Sequence, residues 1–422
     1  MTDDRDARGR AVPSGRLSRL GAFGRLAAGV GGGVVAEGAR RLAAGERPRM
    51  GDMLLTPANA MRVADQLAHL RGAAMKLGQM ISMDAGDMLP PELSAILARL
   101  RNQAHPIAAA SIGQVHRARL PDGRELAIKV QYPGVKQSID ADVDNVATLL
   151  RVSGLLPKEL DVAPLLGEAK RQLHEEADYI REGSMMTRYR DRLANEPGFI
   201  VPELHADLTT PRVLAMTYVA GEPIEMLEHA DQSIRDTAMQ NLIGLTLREL
   251  LDWQLMQTDP NFANYRWQPE TARIVLLDFG AARDIPAATA DGYRTLLAAG
   301  LSGDRDAVRA AAIGAGFLGA AAAQAHRPLV DAMIDVILDN LNRPGPFDFG
   351  DRAFVGVVRE QGMEMARDRS TWHLPPADTL FVQRKISGTA LLAARLKARV
   401  DIRAMVEERI QIVGVKQARR AP

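Results

Sequence analysis

Two runs decide the reading of this chain: TDPNFAN at 258–264 and RIVLLDFG at 273–280. The first sets Asp259 five residues ahead of Asn264, and the second ends a strand-like apolar run on Asp278, fourteen residues after Asn264. An amide oxygen and a carboxylate are hard donors of the kind Mg²⁺ prefers, so Asn264 and Asp278 suit one ion. Asp259 is placed to accept a proton or orient an attacking hydroxyl. Taken singly, such motifs are weak. A second D-F-G at 348–350 follows Gly345-Pro346-Phe347, with no apolar strand before it and no Asp/Asn pair upstream. It reads as a chance loop.

Working upstream, LAIKV places Lys129 inside a strand, one hairpin after the AAASIGQV run at 108–115. The Pro121-Asp122-Gly123 turn between them is a hairpin signature. A covering loop, a strand lysine, a loop Asp with Asn five residues on, and then D-F-G occur here in the order of the protein-kinase layout. The chemistry is coherent: a nucleoside triphosphate brings several negative charges, which Lys129 and a divalent metal would neutralise. Alanines at 108–110 lack glycine's access to left-handed backbone, so this covering loop should be stiffer than a glycine-rich one.

Composition removes the main competitors. Lys and Arg number 53 against 52 Asp and Glu, which excludes a globally basic nucleic-acid binder. There is no Cys, and the eight His include no H-x-x-x-H pair, so thiolate sites and zinc-hydrolase motifs are absent. Four hundred and twenty-two residues imply two to three packed units.

Residues 1–50 form a basic Gly/Ala-rich leader with ten Arg and five acids. Its eleven uncharged residues between Arg25 and Glu37 are too few to span a bilayer. A flexible leader and an Arg-flanked helix on anionic lipid both fit it. Helical periodicity then fills 51–105, with Pro57 suited to a first turn. Strands dominate from 106, with helices expected over 135–152 and 163–194, and PRVLAMTYVAGEPI reads as a strand and a break. Beyond about residue 226 helices are expected, interrupted by one strand, ARIVLLDFG. The expected division is therefore 1–50, 51–105, an N-lobe with inserted helices at 106–225, and a mainly helical C-lobe at 226–422.

Over roughly residues 10–420 the chain resembles the UbiB/AarF-type atypical kinases, which include mitochondrial proteins supporting coenzyme Q synthesis. The most specific mark is K-L-G-Q at Lys76, Gly78 and Gln79, which matches the family's K-x-G-Q signature. The AAAS run at 108–111 matches its alanine-rich loop, and Glu176-Ala177-Asp178 its E-x-D element. The resemblance implies an α+β, two-lobed protein-kinase-like fold with an added N-terminal helical extension. It implies ATP and Mg²⁺ as cofactors, with Lys129 paired to Glu176 on the phosphates and Asn264 and Asp278 on the metal. Asp259 and Lys76 join Lys129 as the catalytic set. Ala108, Ala109, Ala110, Ser111 and Val115, then Tyr218 and Val219, complete the nucleotide site with Lys129 and Glu176. As bare charges, Lys76 and Glu176 would be solvated helix faces; their roles come from the resemblance.

In this family the K-x-G-Q helix lies over the site where a protein substrate would dock, and two departures here agree with that. Gln257-Thr258 stand where ordinary kinases have His-Arg, and no A-P-E follows the D-F-G within thirty residues. The expected activity is Mg²⁺-dependent ATP hydrolysis in ubiquinone biosynthesis. A pseudokinase scaffold for a biosynthetic complex, and a kinase acting on a small molecule or protein, stay open at this point. The expected partners are ATP, quinone-precursor-like phenolic lipids, an anionic membrane surface and quinone-biosynthesis enzymes, with no nucleic acid; a homodimer is open. The expected place is the cytoplasm or the inner face of a membrane, on the bacterial cytoplasmic or mitochondrial matrix side.

Overall fold

The computed structural model describes residues 109–110, 112–152, 163–368, 371, 373 and 375–418. Among these, 109–116 with 129–177 form one compact unit, and 117–128 with 178–418 form another. The leader and helical extension expected at 1–50 and 51–105 lie outside the described residues.

In the first unit β1 (Ala109–Ala110) pairs antiparallel with the start of β2 (Gly113–Arg119). The chain turns at Pro121-Asp122-Gly123 into β3 (Glu125–Gln131). Gly123 has φ 91°, a conformation that needs glycine, and Leu120 N–H donates to Arg124 O at 2.9 Å across the turn. Helix α1 (Val135–Val152) packs on α2 (Ala163–Glu176). Their seam buries Ile139, Val143 and Ala147 with Ala169 and Leu173.

The single helix expected over 163–194 is two. Helix α2 stops at Glu176, and α3 (Tyr179–Arg192) begins after Asp178. Asp178 is extended, with φ −109° and ψ 91°, and its side chain accepts the Arg181 N–H at 3.1 Å. An Asp at this position satisfies an orphan donor of the new helix, so it ends one periodicity and starts the next.

The second unit adds β4 (Phe199–Ile200), β5 (Val213–Thr217) and β6 (Glu222–Pro223). Helix α4 (Gln232–Arg248) continues as a π-helical turn at Glu249–Trp253. Strands β7 (Leu255–Gln257), β8 (Tyr265–Gln268), β9 (Arg273–Leu276) and β10 (Ala282–Asp284) follow. Helices α5 (Ala287–Ser302), α6 (Arg305–Gly314), α7 (Ala320–Ala325) and α8 (Arg327–Leu341) come next. The chain ends through β11 (Phe347–Asp348), α9 (Ala353–Ala366), α10 (Ala377–Leu396), β12 (Arg399–Val400) and α11 (Ile402–Ala418).

One strand was expected beyond residue 226, and the structure has more. Strands β8 and β9 form an antiparallel hairpin inside a sheet of order β4-β9-β8-β6, while β7 pairs with β10. The missed signal was YRWQ, whose Tyr265 and Trp267 point into the core while Arg266 and Gln268 do not, a period of two. The second D-F-G is likewise not a plain loop: Phe347–Asp348 is a short strand on β12, with Asp348 ion-paired to Arg399 at 3.2 Å.

The main core of this unit gathers Tyr189, Leu242, Leu255, Tyr265, Trp267, Ile274, Leu276, Phe279 and Leu392. These come from α3, α4, β7, β8, β9 and α10, so the residues flanking 258–264 and 277–280 are set on the largest apolar cluster. Each fully buried Leu or Phe there contributes about 1.5–3 kcal/mol.

Candidate functional site

The loop between β7 and β8 carries Asp259 and Asn264. Asn261 accepts the Ala263 N–H at 3.2 Å and caps the 3₁₀ turn Phe262–Asn264, which ends the loop. The β8–β9 register pairs Tyr265 with Leu276, so one step beyond it position 264 stands opposite 277. Leu277 N–H donates to Asn264 O at 3.0 Å. The fourteen-residue spacing is therefore a hairpin: Asp278 emerges beside Asn264 because the strands are paired, not because the two are close in sequence. Asn264 is buried and its amide N–H₂ donates to Asp259 O at 3.4 Å. Asp278 is half-buried, and its Oδ1 accepts the Gly280 N–H at 2.9 Å.

Neighbouring segments lock this loop. Thr258 donates both its backbone N–H and its hydroxyl to Ala281 O. From α3, Arg181 donates to Gly280 O at 2.9 Å and to Ala282 O, while Glu182 Oε1 accepts the Phe279 N–H at 3.5 Å. Phe279 is buried against Tyr189, with ring centroids 5.0 Å apart. Beneath lies a buried ionic group: Tyr189 donates to Glu249 Oε1 at 2.7 Å, and the same oxygen accepts the Gln257 N–H at 3.2 Å. Lys385 Nζ lies 3.7 Å from Glu249 Oε2 and donates to the Tyr265 hydroxyl at 2.7 Å. Burial pushes Lys385 down, yet the Glu249 carboxylate and the hydrogen bond to the Tyr265 hydroxyl outweigh it, so the ammonium is held above its usual range. Burial raises the Glu249 carboxyl, and Lys385 and the Tyr189 hydroxyl pull part of that back. The Arg384 guanidinium stands 3.8 Å from Asp259 Oδ1.

In the first unit, Lys129 and Gln131 share the buried face of β3. Gln131 donates to Ala177 O at 2.8 Å, which draws that face to the end of α2. Glu176, the last residue of α2, is buried and accepts the Gln172 amide at 3.1 Å. It is not the solvated charge that bare sequence would assign. Val115 lies half-buried on β2. Tyr218 and Val219 follow β5 in the second unit, with the Arg117 guanidinium 4.1 Å over the Tyr218 ring. Ala109 and Ala110 form β1, whereas Lys76, Gly78, Gln79, Ala108 and Ser111 lie outside the described residues.

Residues 87–312 match the model of the ABC1 atypical kinase-like domain, more than half of the chain. The chain belongs to the ABC1 atypical kinase-like family. Among relatives of this ABC1-type chain is "Atypical kinase COQ8B, mitochondrial" of Danio rerio, 36% identical over 94% of this chain and 69% of its own. "Atypical kinase COQ8, mitochondrial" of Saccharomyces cerevisiae is 34% identical over 94% and 85%. A solved structure, the complex of Rv3197 with erythromycin from Mycobacterium tuberculosis, superposes with a TM-score of 0.54 at 23% identity. It covers 82% of this chain and 95% of that one, which establishes the fold. The α+β kinase-like fold class expected from the sequence is therefore the observed one.

An ABC1-type kinase-like fold implies ATP with a metal, and the donor set fits one. Among the described residues no cluster of three or more His, Asp or Glu forms a metal cage. Mg²⁺ asks for less: one or two protein oxygens, with waters and phosphate oxygens completing the octahedron. Asn264 and Asp278, on backbones joined by the Leu277–Asn264 hydrogen bond, supply that kind of pair. Sequence reasoning missed Arg181, Glu182, Glu249, Arg384 and Lys385. Their charge gives no hint of burial, and each acts on a segment far away in the chain.

Proposed function

We propose that this chain is a Mg²⁺-dependent ATPase of the atypical kinase type. As a member of this family it is an atypical kinase-like protein of ubiquinone biosynthesis, and hydrolysis is the reaction the site supports best. The reading rests on the hairpin register that brings Asn264 and Asp278 together, with Asp259 on the same loop. Asn264 and Asp278 hold the ion, which when bound neutralises phosphate charge. Lys129, with Glu176, contacts the phosphates, and Val115, Tyr218, Val219 and the 108–111 run complete the nucleotide site. Asp259 orients the attacking water. Lys76 and Gln79 lie on the helix that, by family resemblance, keeps polypeptide substrates out, so phosphate goes to water rather than to generic proteins.

The basic leader is the proposed membrane contact, and phenolic quinone precursors and quinone-biosynthesis enzymes are the proposed partners. No helix among the described residues is long and apolar enough to cross a bilayer. Attachment at the inner face of a membrane is proposed for residues 1–50 on their ten Arg, each of which adds about 1 kcal/mol near an anionic surface.

One experiment tests this. Phosphate release, radiolabel transfer and Mg-ATP thermal shifts are measured with and without anionic vesicles carrying a quinone-precursor-like phenol. Lys129→Ala and Asp278→Asn should each lose the ligand-induced shift, which at a hundredfold excess over Kd is worth about 2.7 kcal/mol. Asp348→Asn, at the second D-F-G, should keep it. Unchanged shifts in Lys129→Ala and Asp278→Asn would remove the nucleotide assignment. Binding without phosphate release would make the protein a scaffold, and label transfer to generic proteins would make it an ordinary kinase.

A further inference from the structure

Helix α10 lies about 120 residues downstream of the Asp259 loop, yet three of its residues on one face bear on that loop. Gly388 comes first. A Cβ there would overlap the Pro260 side chain, so the helix approaches the residue after Asp259 as closely as backbone allows. Lys385 is second: through the Tyr265 hydroxyl and Glu249 it holds the start of β8 and, by the Gln257 N–H, the end of β7. Both ends of the loop are therefore pinned to one buried ammonium. Arg384 is third. Its side chain is 1% exposed, and its guanidinium stands 3.8 Å from Asp259 Oδ1, with that side chain 10% exposed.

A fully buried guanidinium is costly unless a countercharge accompanies it. An arginine is also permanently charged, so its pull on the nearer Asp259 carboxylate oxygen persists at every working pH. Lys385 and Gly388 set the path of the loop backbone; they do not set the torsion of the Asp259 carboxylate. Arg384 meets that carboxylate itself.

We propose that α10 is the element that aligns the site, with Arg384 a positioning residue that fixes the direction in which the Asp259 carboxylate faces the attacking water. This rests on the reading of Asp259 as the residue that orients the attacking water. In this scheme Arg384 touches neither nucleotide nor metal and acts on the reaction through Asp259. Its loss should lower kcat and leave nucleotide affinity intact. Misplacement of a reacting group by about 1 Å costs on the order of 100-fold in rate.

The test is a double-mutant cycle in the full-length chain. ATP hydrolysis is measured for wild type, Arg384→Met, Arg384→Lys, Asp259→Asn and the two double variants that combine Asp259→Asn with each Arg384 substitution, together with KM and the Mg-ATP thermal shift. The expected result is a kcat lowered on the order of 10–100-fold in Arg384→Met, with KM and the thermal shift unchanged. Arg384→Lys should recover part of the loss, and Arg384→Met should cost nothing further in the Asp259→Asn background. Additive losses in the double variant, a change confined to KM, or an unchanged kcat in Arg384→Met would each overturn the proposal. If Arg384→Met does not fold, Arg384→Lys takes its place: a deficit present with Asp259 intact and absent in the Asp259→Asn background supports the proposal, and any other pattern overturns it. A fully active Asp259→Asn would overturn the underlying reading as well, a result distinct from additivity.

Discussion

At Gly388 one hydrogen in place of a methyl decides how near α10 comes to the loop. Gly388→Ala should force Pro260 or the helix to move, costing about 1–3 kcal/mol by overpacking. Urea unfolding would show the loss, and kcat should fall with it because Pro260 adjoins Asp259. An unchanged midpoint would mean that the loop yields freely. Asp259, Asn264 and Asp278 of the proposed site were legible from sequence because their spacing is itself a structural constraint: the five-residue step is one loop, and the fourteen-residue step is one hairpin. Gly388, Arg384 and Lys385 were illegible for the opposite reason. Nothing within α10 marks which face is buried, since a Lys and an Arg there look like solvated charges until Glu249 and Asp259 are folded beneath them.

Among elements, α10 also shows where local rules are strained. It ends on Lys397, a non-glycine residue in the left-handed region at φ 49°. Left-handed backbone costs an L residue about 1–2 kcal/mol, and glycine is the usual solution at this end of a helix. The Lys397 side chain is exposed, and its carbonyl accepts the Gln232 amide at 3.0 Å, a bond that glycine would keep. Lys397→Gly should therefore raise stability by about 0.5–1 kcal/mol, net of glycine's extra chain entropy. Thermal unfolding checks it, and a lower Tm would show that the side chain contributes more than its exposure suggests. The elements that sequence misjudged share one cause. The 163–194 periodicity runs across Asp178 almost unbroken, and YRWQ is too short to declare a strand without its partner β9. A cap and a pairing are relations between segments, so periodicity along one segment misses both.

At the scale of the whole molecule, alkaline pH should be the sensitive direction. Tyr189, Tyr265 and Tyr293 are raised above the ordinary 10.0 by burial first, and Lys385 is raised above 10.5 by Glu249 and Tyr265 against its own burial. All four bind protons more tightly folded than unfolded. Their stabilisation is complete below pH 10 and is lost as pH rises towards the folded values, because the unfolded chain then releases protons that the native state retains. A fluorescence-monitored pH series should show stability falling from about pH 10 upward, and a flat profile to pH 12 would contradict the buried-tyrosine account. The reach of α10 back to Tyr265 has one more consequence, for the chain as it is made. At about 5–20 residues per second, the 120 residues between Tyr265 and Lys385 take roughly 6–24 s to synthesise. Throughout that interval the nascent loop has its aspartate but not the helix that pins it. Under the proposed role of α10, a ribosome-bound chain lacks the element that aligns the Asp259 loop, and a chain stopped before Ala377 should show no ATP hydrolysis.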